Sequence, residues 1–274
     1  MRIREVEGPS GAPTLLLLHG LGATGPLNWF MALPALAERY RLLAVDHRGH
    51  GDGIRTRQFR LKDCADDAMA AADALGIDDL IAVGYSMGGP IAKLCWSRHR
   101  KRVRGLVLCA TAQHFRPERY PVLTRALLPG AVVGARIAPT LVREQMIEGM
   151  TRDVRSKEAR AYMRREMSSS DPATIAQATR AVLRFSSRNW ASTITVPSAV
   201  LVMTRDEVVP TRRQEALAAA IPGAKRFDVD GNHFACASER TNFVEQLLSA
   251  CEHVDDAALS TPHSRSLKIE QPER

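Results

Sequence analysis

The sequence predicts an α/β protein with a doubly wound, mostly parallel central sheet that is flanked by helices. Three observations support this prediction. Short apolar runs of strand length recur along the chain, segments with helical spacing lie between them, and the two kinds of segment alternate over most of its length. Parallel strands joined by right-handed helical crossovers are the most economical topology for such an alternation.

Six apolar runs are predicted to be strands of this sheet. The first consists of Thr14 and four leucines up to His19, which is typical of a strand that is covered on both faces. The predicted strands are 14–19, 41–46, 80–85, 103–110, 198–204 and 224–229. Helical spacing predicts helices at 61–75, 88–99, 212–220 and 239–251.

The alternation of strands and helices stops between about residues 114 and 190. This segment has the pattern of several helices, including 144–150, 157–167 and one that Asp171 would cap, with Pro172 at its first position. We therefore predict a core formed by residues 1–113 and 191–251, with a helical insertion at 114–190. Residues 252–274 are expected to form a disordered tail, because their Ser, Thr, Pro and charged residues show no periodicity.

Composition and charge exclude several classes of protein. The 274 residues are 45% hydrophobic and 25% charged, as in an ordinary globular protein. The longest apolar runs are far shorter than the roughly 20 residues of a membrane span, and the N-terminus lacks the apolar region of a signal peptide, so we expect a cytoplasmic protein without integral membrane association.

Charge and cysteines also argue against two kinds of site. The net charge is +8, and the segment 114–190, with 14 Arg or Lys and seven Asp or Glu, carries seven of the excess positive charges. No nucleic-acid-binding motif accompanies them, so no nucleic-acid partner is expected. The five cysteines are scattered and odd in number, which matches neither a disulfide framework nor a zinc site.

The motif Gly84-Tyr85-Ser86-Met87-Gly88 lies directly between a predicted strand and a predicted helix. This is the context of a nucleophile elbow, in which a tight turn exposes a serine hydroxyl at the start of a helix. The turn needs small residues at both ends, because a side chain there would collide with a neighbouring element. An isolated match could be a plain glycine turn, but the flanking strand and helix favour Ser86 as a nucleophile.

A serine hydroxyl needs a base, and the base needs a group that orients it. Asp206 follows the predicted strand 198–204, and His233 follows the predicted strand 224–229, so both should lie at the same edge of the sheet as Ser86. Asp230 and Glu207 are alternative carboxylates, but neither is as well positioned after its strand.

Acyl transfer also needs backbone N–H groups that bind the developing oxyanion. The first candidate is Met87, which follows the nucleophile at the start of its helix. The second is Leu21, in the turn that follows the first buried strand; the alternative is that this turn only ends the strand. His47 and His50 are expected to shape a turn rather than to take part in chemistry.

Together these motifs resemble the α/β-hydrolase fold superfamily, in which the triad occurs in the order Ser, Asp, His. The resemblance covers about residues 12–251 and is strongest with bacterial esterases, enol-lactonases and carbon–carbon bond hydrolases that have a helical cap. It implies a triad of Ser86, Asp206 and His233 and a cap formed by the insertion. There are two departures. Only residues 2–7 are available ahead of the first predicted strand, which leaves little room for the usual N-terminal pair of strands, so this edge of the sheet is expected to be shortened; and the usual glycine ahead of the acid loop is replaced around Thr204-Arg205.

Because position 86 is a serine, the resemblance favours acyl-enzyme chemistry over the carboxylate nucleophile of epoxide hydrolases and haloalkane dehalogenases. We expect a serine hydrolase that cleaves a small or medium-sized hydrophobic ester, thioester or lactone and requires no metal or organic cofactor. The alternatives are a carbon–carbon bond hydrolase or cofactor-free perhydrolase (haloperoxidase) with the same triad, and a non-catalytic ligand-binding protein.

The arginines of the insertion leave a further question open. They would suit an anionic substrate such as a carboxylate or a coenzyme A thioester, but a solvated helical face would explain them equally. Neither the substrate nor the oligomeric state follows from the sequence.

Overall fold

The computed structural model describes residues 2–116, 144, 147, 148, 151 and 157–260. Seven strands of this part of the chain form one sheet. They are β1 (Ile3–Val6), β2 (Thr14–Leu18), β3 (Arg41–Val45), β4 (Leu80–Tyr85), β5 (Val103–Cys109), β6 (Ser198–Met203) and β7 (Lys225–Val229). Their order is β1-β3-β2-β4-β5-β6-β7, and every pair is parallel except β1 with β3.

The described helices cover both faces of this sheet. They are α1 (Gly25–Trp29), α2 (Leu33–Ala37), α3 (Leu61–Ala74), α4 (Gly88–Arg98), α5 (Lys157–Ser168), α6 (Pro172–Arg184), α7 (Thr211–Ala220) and α8 (Phe243–Ser260). Strand β2 shows the arrangement, because Leu16 and Leu18 belong to the apolar cluster that includes α3 and α4, whereas Leu15 and Leu17 belong to the cluster that includes α2 and α8. The predicted doubly wound α/β fold is therefore confirmed.

The six predicted strands are present, with bounds that differ from the prediction by one residue at most. Strand β1 was not predicted because its outer positions are only partly buried and its central two are exposed, so it carries no continuous apolar signal. The short helices α1 and α2 were also missed, since five residues are too few to show a helical period.

The predicted tail at 252–274 is wrong in its first part, because α8 continues to Ser260. Val254 and Ala258 are buried, and they extend the apolar stripe of Leu247 and Cys251 at helical spacing. The prediction overlooked this stripe among the charged residues around it. Residues 261–274 lie outside the described part of the chain, as does most of the predicted helix at 144–150, of which residues 144, 147 and 148 are helical.

Helices α5 and α6, which lie within the segment 114–190, contact other parts of the chain. Met163 and Met167 of α5 pack against Ala23, Leu27 and Ala237, which lie after β2 and β7. Helix α5 therefore lies against loops at the carboxyl edge of the sheet.

Helix α6 begins where the sequence predicts. The carboxylate of Asp171 caps it by accepting hydrogen bonds from the amides of Ala173 and Thr174, and the Asp171 amide donates to the carbonyl of Gly49 at 2.9 Å. The start of α6 is thereby attached to the loop that follows β3.

A buried lysine connects the two ends of the insertion to the core. Lys93 of α4 is fully buried, and its ammonium nitrogen donates to the carbonyl of Ala112 (2.9 Å) and to the hydroxyl of Ser187 (3.0 Å). Ala112 lies just before the insertion and Ser187 near its end, and the Ser187 amide donates to Gln113 at 2.8 Å. Burial without a neighbouring carboxylate lowers the pKa of Lys93 from 10.5 to about 7.

We expect Lys93→Met to remove a pH dependence of stability. The folded protein disfavours the proton on Lys93, so the unfolded chain binds more protons between the folded pKa of about 7 and the unfolded value of 10.5. The free energy of unfolding of the wild type should therefore rise with pH in this window, by about 1 kcal/mol per pH unit relative to Lys93→Met. Urea unfolding at several pH values measures the difference.

The control is Lys101→Met, which removes an exposed lysine and should keep the pH dependence of the wild type. If the stabilities of Lys93→Met and the wild type change in parallel with pH, Lys93 keeps its ordinary pKa in the folded protein.

Candidate active site

Ser86 lies on a tight turn between β4 and α4. Its backbone has a φ of 50°, in the left-handed region that residues with a side chain rarely adopt. The Ser86 amide donates to the carbonyl of Cys109 (2.9 Å), and the Ser86 carbonyl accepts from the amide of Gly89 (3.0 Å). These bonds to the neighbouring strand and to the first turn of α4 hold the strained backbone in place.

The two glycines of the motif are required by close backbone approach. A Cβ atom at Gly84 would overlap the carbonyl of Gly88, and one at Gly88 would overlap the carbonyl of Leu18 on β2. Helix α4 therefore starts in direct contact with the end of β2. A side chain at Gly88 would push α4 away from β2, and one at Gly84 would push it away from β4.

Ser86, His233 and Asp206 form a continuous chain of hydrogen bonds. The Ser86 Oγ lies 3.0 Å from His233 Nε2, and His233 Nδ1 lies 2.7 Å from Asp206 Oδ2. The side chain of Asp206 is fully buried, whereas that of His233 is 11% exposed. The structure thus brings together the three side chains that the sequence singled out. Asp230 is instead exposed and paired with Arg205 at 3.0 Å.

The carboxylate of Asp206 is held by three further donors. Its Oδ1 accepts from the amides of Val208 and Val209, both at 2.8 Å, and its Oδ2 accepts from the side-chain amide of Gln214 at 2.9 Å. Gln214 is buried, and its Oε1 accepts from the amide of Met203 at the end of β6 (3.0 Å). The acid is therefore fixed to its own loop and, through α7, to its strand.

Sequence reasoning missed Gln214. A usable signal was present, because Gln214 lies three residues before the buried Leu217 on the same face of α7. A polar residue on the buried face of a helix must find hydrogen-bond partners, and here the partner is the candidate acid.

The loops that carry Asp206 and His233 are joined by bonds from Thr204 and Arg205, the positions at which the resemblance leads us to expect a glycine. The amide of Thr204 donates to the carbonyl of Val229, and the amide of Arg205 donates to the carbonyl of Gly231, both at 3.0 Å. The pairing of β6 with β7 thus continues past both strands. Because the backbone of Thr204 and Arg205 stays paired with residues 229 and 231, the chain makes this connection without a glycine at either position.

Tyr85, the residue before the candidate nucleophile, supports the histidine loop. Its hydroxyl donates to the carbonyl of His233 at 2.9 Å. Burial raises the pKa of Tyr85 well above its ordinary value, so the hydroxyl keeps its proton and remains a donor. The sequence predicted the end of a strand at Tyr85 and gave no indication of this contact.

The loop that carries Leu21 lies next to Ser86. A Cβ atom at Gly20 would be 3.5 Å from the Cβ of Ser86, and the Gly20 amide donates to the side chain of Asn28 at 3.0 Å. Within the described residues, the amides of Leu21 and Met87 have no hydrogen-bond acceptor. Both amides therefore retain a free donor beside the serine.

His19, His47 and His50 form a buried cluster behind this loop. The Nδ1 of His19 donates to the carbonyl of Gly20 (2.7 Å), and its Nε2 accepts from the amide of His47 (3.0 Å). Burial lowers the pKa of His19 to about 4 and that of His50 to about 3. The His19 and His50 rings are therefore neutral near pH 7. The Nδ1 of His50 donates to the carbonyl of Arg48 (3.0 Å) within the turn after β3, as expected for His50, and the His47 ring packs against that of His19 with 4.2 Å between the ring centroids.

The described residues offer neither a metal site nor a membrane-spanning helix. In that part of the chain, no group of three or more His, Cys, Asp or Glu residues is arranged to hold a metal ion. None of its helices is long and apolar enough to span a membrane.

A family model described as alpha/beta hydrolase fold matches residues 13–239. The putative carbamate hydrolase RutD of Azorhizobium caulinodans is 30% identical over 265 residues, which are 92% of this chain and 95% of that protein. The pimeloyl-[acyl-carrier protein] methyl ester esterase of Chromobacterium violaceum is 28% identical over 92% of this chain and 98% of its own. A shorter match, 36% identical over 126 residues, covers 44% of this chain and 43% of the magnesium-chelatase 30 kDa subunit of Rhodobacter capsulatus.

Solved structures share the fold over nearly the whole chain. The enol-lactonase from Burkholderia xenovorans LB400 superposes with a TM-score of 0.73 and 24% identity, covering 95% of this chain and 96% of its own. The esterase EaEST from Exiguobacterium antarcticum superposes with a TM-score of 0.77 and 21% identity, covering 91% and 94%.

We expect Gly88→Ala to lower the free energy of unfolding by about 3 kcal/mol, because its Cβ would overlap the backbone of β2. Alanine is the better helix former, so helix propensity alone predicts the opposite sign. The matched control is Gly20→Ala, whose Cβ would make only ordinary contacts. Urea unfolding measures both variants, and an equal loss of stability would contradict this account of the turn.

Proposed function

The chain belongs to the α/β-hydrolase fold family, and within this family we propose that it is a serine hydrolase that forms an acyl-enzyme. The proposed substrate is a small or medium-sized hydrophobic carboxylic ester, thioester or lactone. The observation that carries the proposal is the hydrogen-bonded chain from Ser86 through His233 to the buried carboxylate of Asp206. A base within 3.0 Å of a serine hydroxyl is the arrangement that this chemistry requires.

In the proposed mechanism, His233 takes the proton of Ser86 as its Oγ attacks the substrate carbonyl. Asp206 holds the imidazole and stabilises its cation, and the amides of Leu21 and Met87 bind the oxyanion. The imidazolium then protonates the leaving group, which departs and leaves the acyl group on Ser86. Water, deprotonated by His233, releases the acid and restores the serine.

We further propose that the insertion, residues 114–190, acts as a cap over this site. The packing of Met163 and Met167 against the loops after β2 and β7 supports this role, because those loops carry Leu21 and His233. Phe30 and Phe234 pack against the same cluster. An apolar roof of this kind favours a hydrophobic acyl group and excludes water from the oxyanion, which strengthens its hydrogen bonds.

The names of the relatives support cleavage next to a carbonyl carbon. They include a carbamate hydrolase, a methyl ester esterase and an enol-lactonase. A 2-hydroxymuconate semialdehyde hydrolase is also similar over 110 residues, so carbon–carbon bond cleavage with the same triad is the second candidate.

We expect the wild type to gain the mass of one fluorophosphonate adduct and Ser86→Ala to gain none. The reagent reacts with a serine that a neighbouring base activates, and intact-mass spectrometry counts the adducts. The same proteins are then tested with p-nitrophenyl esters of increasing acyl length, which reports the size of the acyl pocket. A folded wild type that is neither labelled nor active would contradict the proposal and favour a ligand-binding protein.

A second comparison tests the assignment of the acid. Asp206→Asn should reduce kcat by about 10³–10⁴-fold, because the imidazole loses the partner that fixes its tautomer. Asp230→Asn is the matched control and should keep the wild-type rate within about twofold, since an exposed ion pair contributes little. Equal rates for the two variants would contradict the role of Asp206.

A further inference from the structure

A solvent-open cavity of about 540 Å³ lies between the segment 58–62, at the start of α3, and helix α6 of the insertion. Its volume is in the range of pockets that hold small molecules. The residues that line it are Gln58, Phe59, Arg60, Leu61, Lys62, Gln177, Arg180, Ala181, Arg184 and Phe185. Among the described residues, the lining of the cavity therefore includes four cationic residues and no carboxylate.

The four cations come from two elements and are not neutralised by ion pairs. Arg60 and Lys62 lie at the start of α3, and Arg180 and Arg184 lie one turn apart on α6. Within the described residues, none of the four forms a salt bridge, whereas Arg48 and Arg98 nearby are paired with aspartates of α3. In the part of the chain that the structure describes, the cavity is thus a concentration of positive charge without a paired carboxylate.

The two basic elements are held together by a specific contact. The side chain of Gln177 on α6 accepts from the amide of Phe59 (3.0 Å) and donates to the carbonyl of Arg57 (3.2 Å). The side chains of Phe59 and Leu61 are buried beneath the cavity. This clamp holds the two basic elements against each other, so that their four exposed cations line the same cavity.

Positive side chains also lie at the N-terminus of α3, where a helix favours negative charge. Arg60 is the N-cap residue and makes no capping hydrogen bond with its side chain. Arg60 and Lys62 place positive charge at the positive end of a helix, where an acidic residue or an anion would be stabilising. Asp63, the acidic residue of this first turn, lies 3.9 Å from Arg48 and does not line the cavity.

We propose that this cavity binds the phosphate groups of a small phosphorylated ligand. Arginine matches phosphate oxygens with two parallel hydrogen bonds, and four cations suit a ligand with more than one phosphate charge. Such phosphates have two possible sources: a phosphorylated carrier joined to the acyl group of the substrate, or a free nucleotide. Phosphate binding by the cavity does not depend on the proposed function. A phosphorylated carrier on the substrate does, because it requires that the protein hydrolyses an acyl compound.

The decisive experiment is calorimetric titration of the full chain with inorganic pyrophosphate and with ADP. The test variant is the double variant Arg180→Gln, Arg184→Gln. The control is Arg4→Gln, Lys101→Gln, which removes the same charge from exposed positions outside the cavity. We expect the test variant to bind both probes at least about tenfold more weakly and the control to bind them like the wild type.

Either of two results would overturn the proposal. One is that the wild type binds neither probe, and the other is that both double variants weaken binding equally, which would indicate an effect of net charge alone. Circular dichroism verifies that the variants are folded, which we expect because the four substituted side chains are exposed.

Activity then distinguishes the two sources of phosphate. If the phosphate belongs to the substrate, kcat/KM for an acyl coenzyme A should fall at least about tenfold in the test variant, while that for the matching N-acetylcysteamine thioester should not change. If the ligand is a free nucleotide, both thioesters should be hydrolysed as by the wild type although ADP binding is lost. If the wild type hydrolyses neither, the proposed function fails and the titration still decides whether the cavity binds phosphate.

Discussion

The site depends on the close approach of the backbone of residues 84–88 to the end of β2. This approach forces Ser86 into a left-handed conformation and sets the first turn of α4 against the loop that carries Leu21. The contact sets the start of α4, with Met87, against the end of β2, while bonds to His19 and Asn28 fix the loop that follows β2. The cost of the strained residue is offset by hydrogen bonds to β5 and α4.

A network of buried polar groups extends this arrangement to the neighbouring loops. Asp46 accepts from the amides of Gly25 and Asp52, and His19 bonds to Gly20 and His47, so the turns after β2 and β3 share their partners. Buried polar groups of this kind are costly unless each finds a partner, and their partners here are mostly backbone groups of loops. The polar network thus fixes the loops at the carboxyl edge, while the apolar clusters fix the sheet and its helices.

Most of the sheet and the three side chains of the candidate triad could be predicted from the sequence. Runs such as 14–18 are buried on both faces and so leave a continuous apolar signal, and glycines at 84 and 88 mark a turn that few other residues permit. The contact of Tyr85 could not be predicted, because it joins residues that are 148 positions apart. The place of Gln214 on the buried face of α7 indicated that it needs a polar partner but not which one. The end of α8 was missed because its apolar stripe passes between charged residues.

The continued pairing of β6 with β7 also has a consequence for local unfolding. The bonds from Thr204 to Val229 and from Arg205 to Gly231 tie the loop of Asp206 to the loop of His233. Neither loop can open by itself without breaking these bonds, so the two behave as one cooperative unit. Thermal loosening at this edge would thus release the acid and the base in a single step, and hydrogen exchange of the Thr204 and Arg205 amides would report the free energy of that opening.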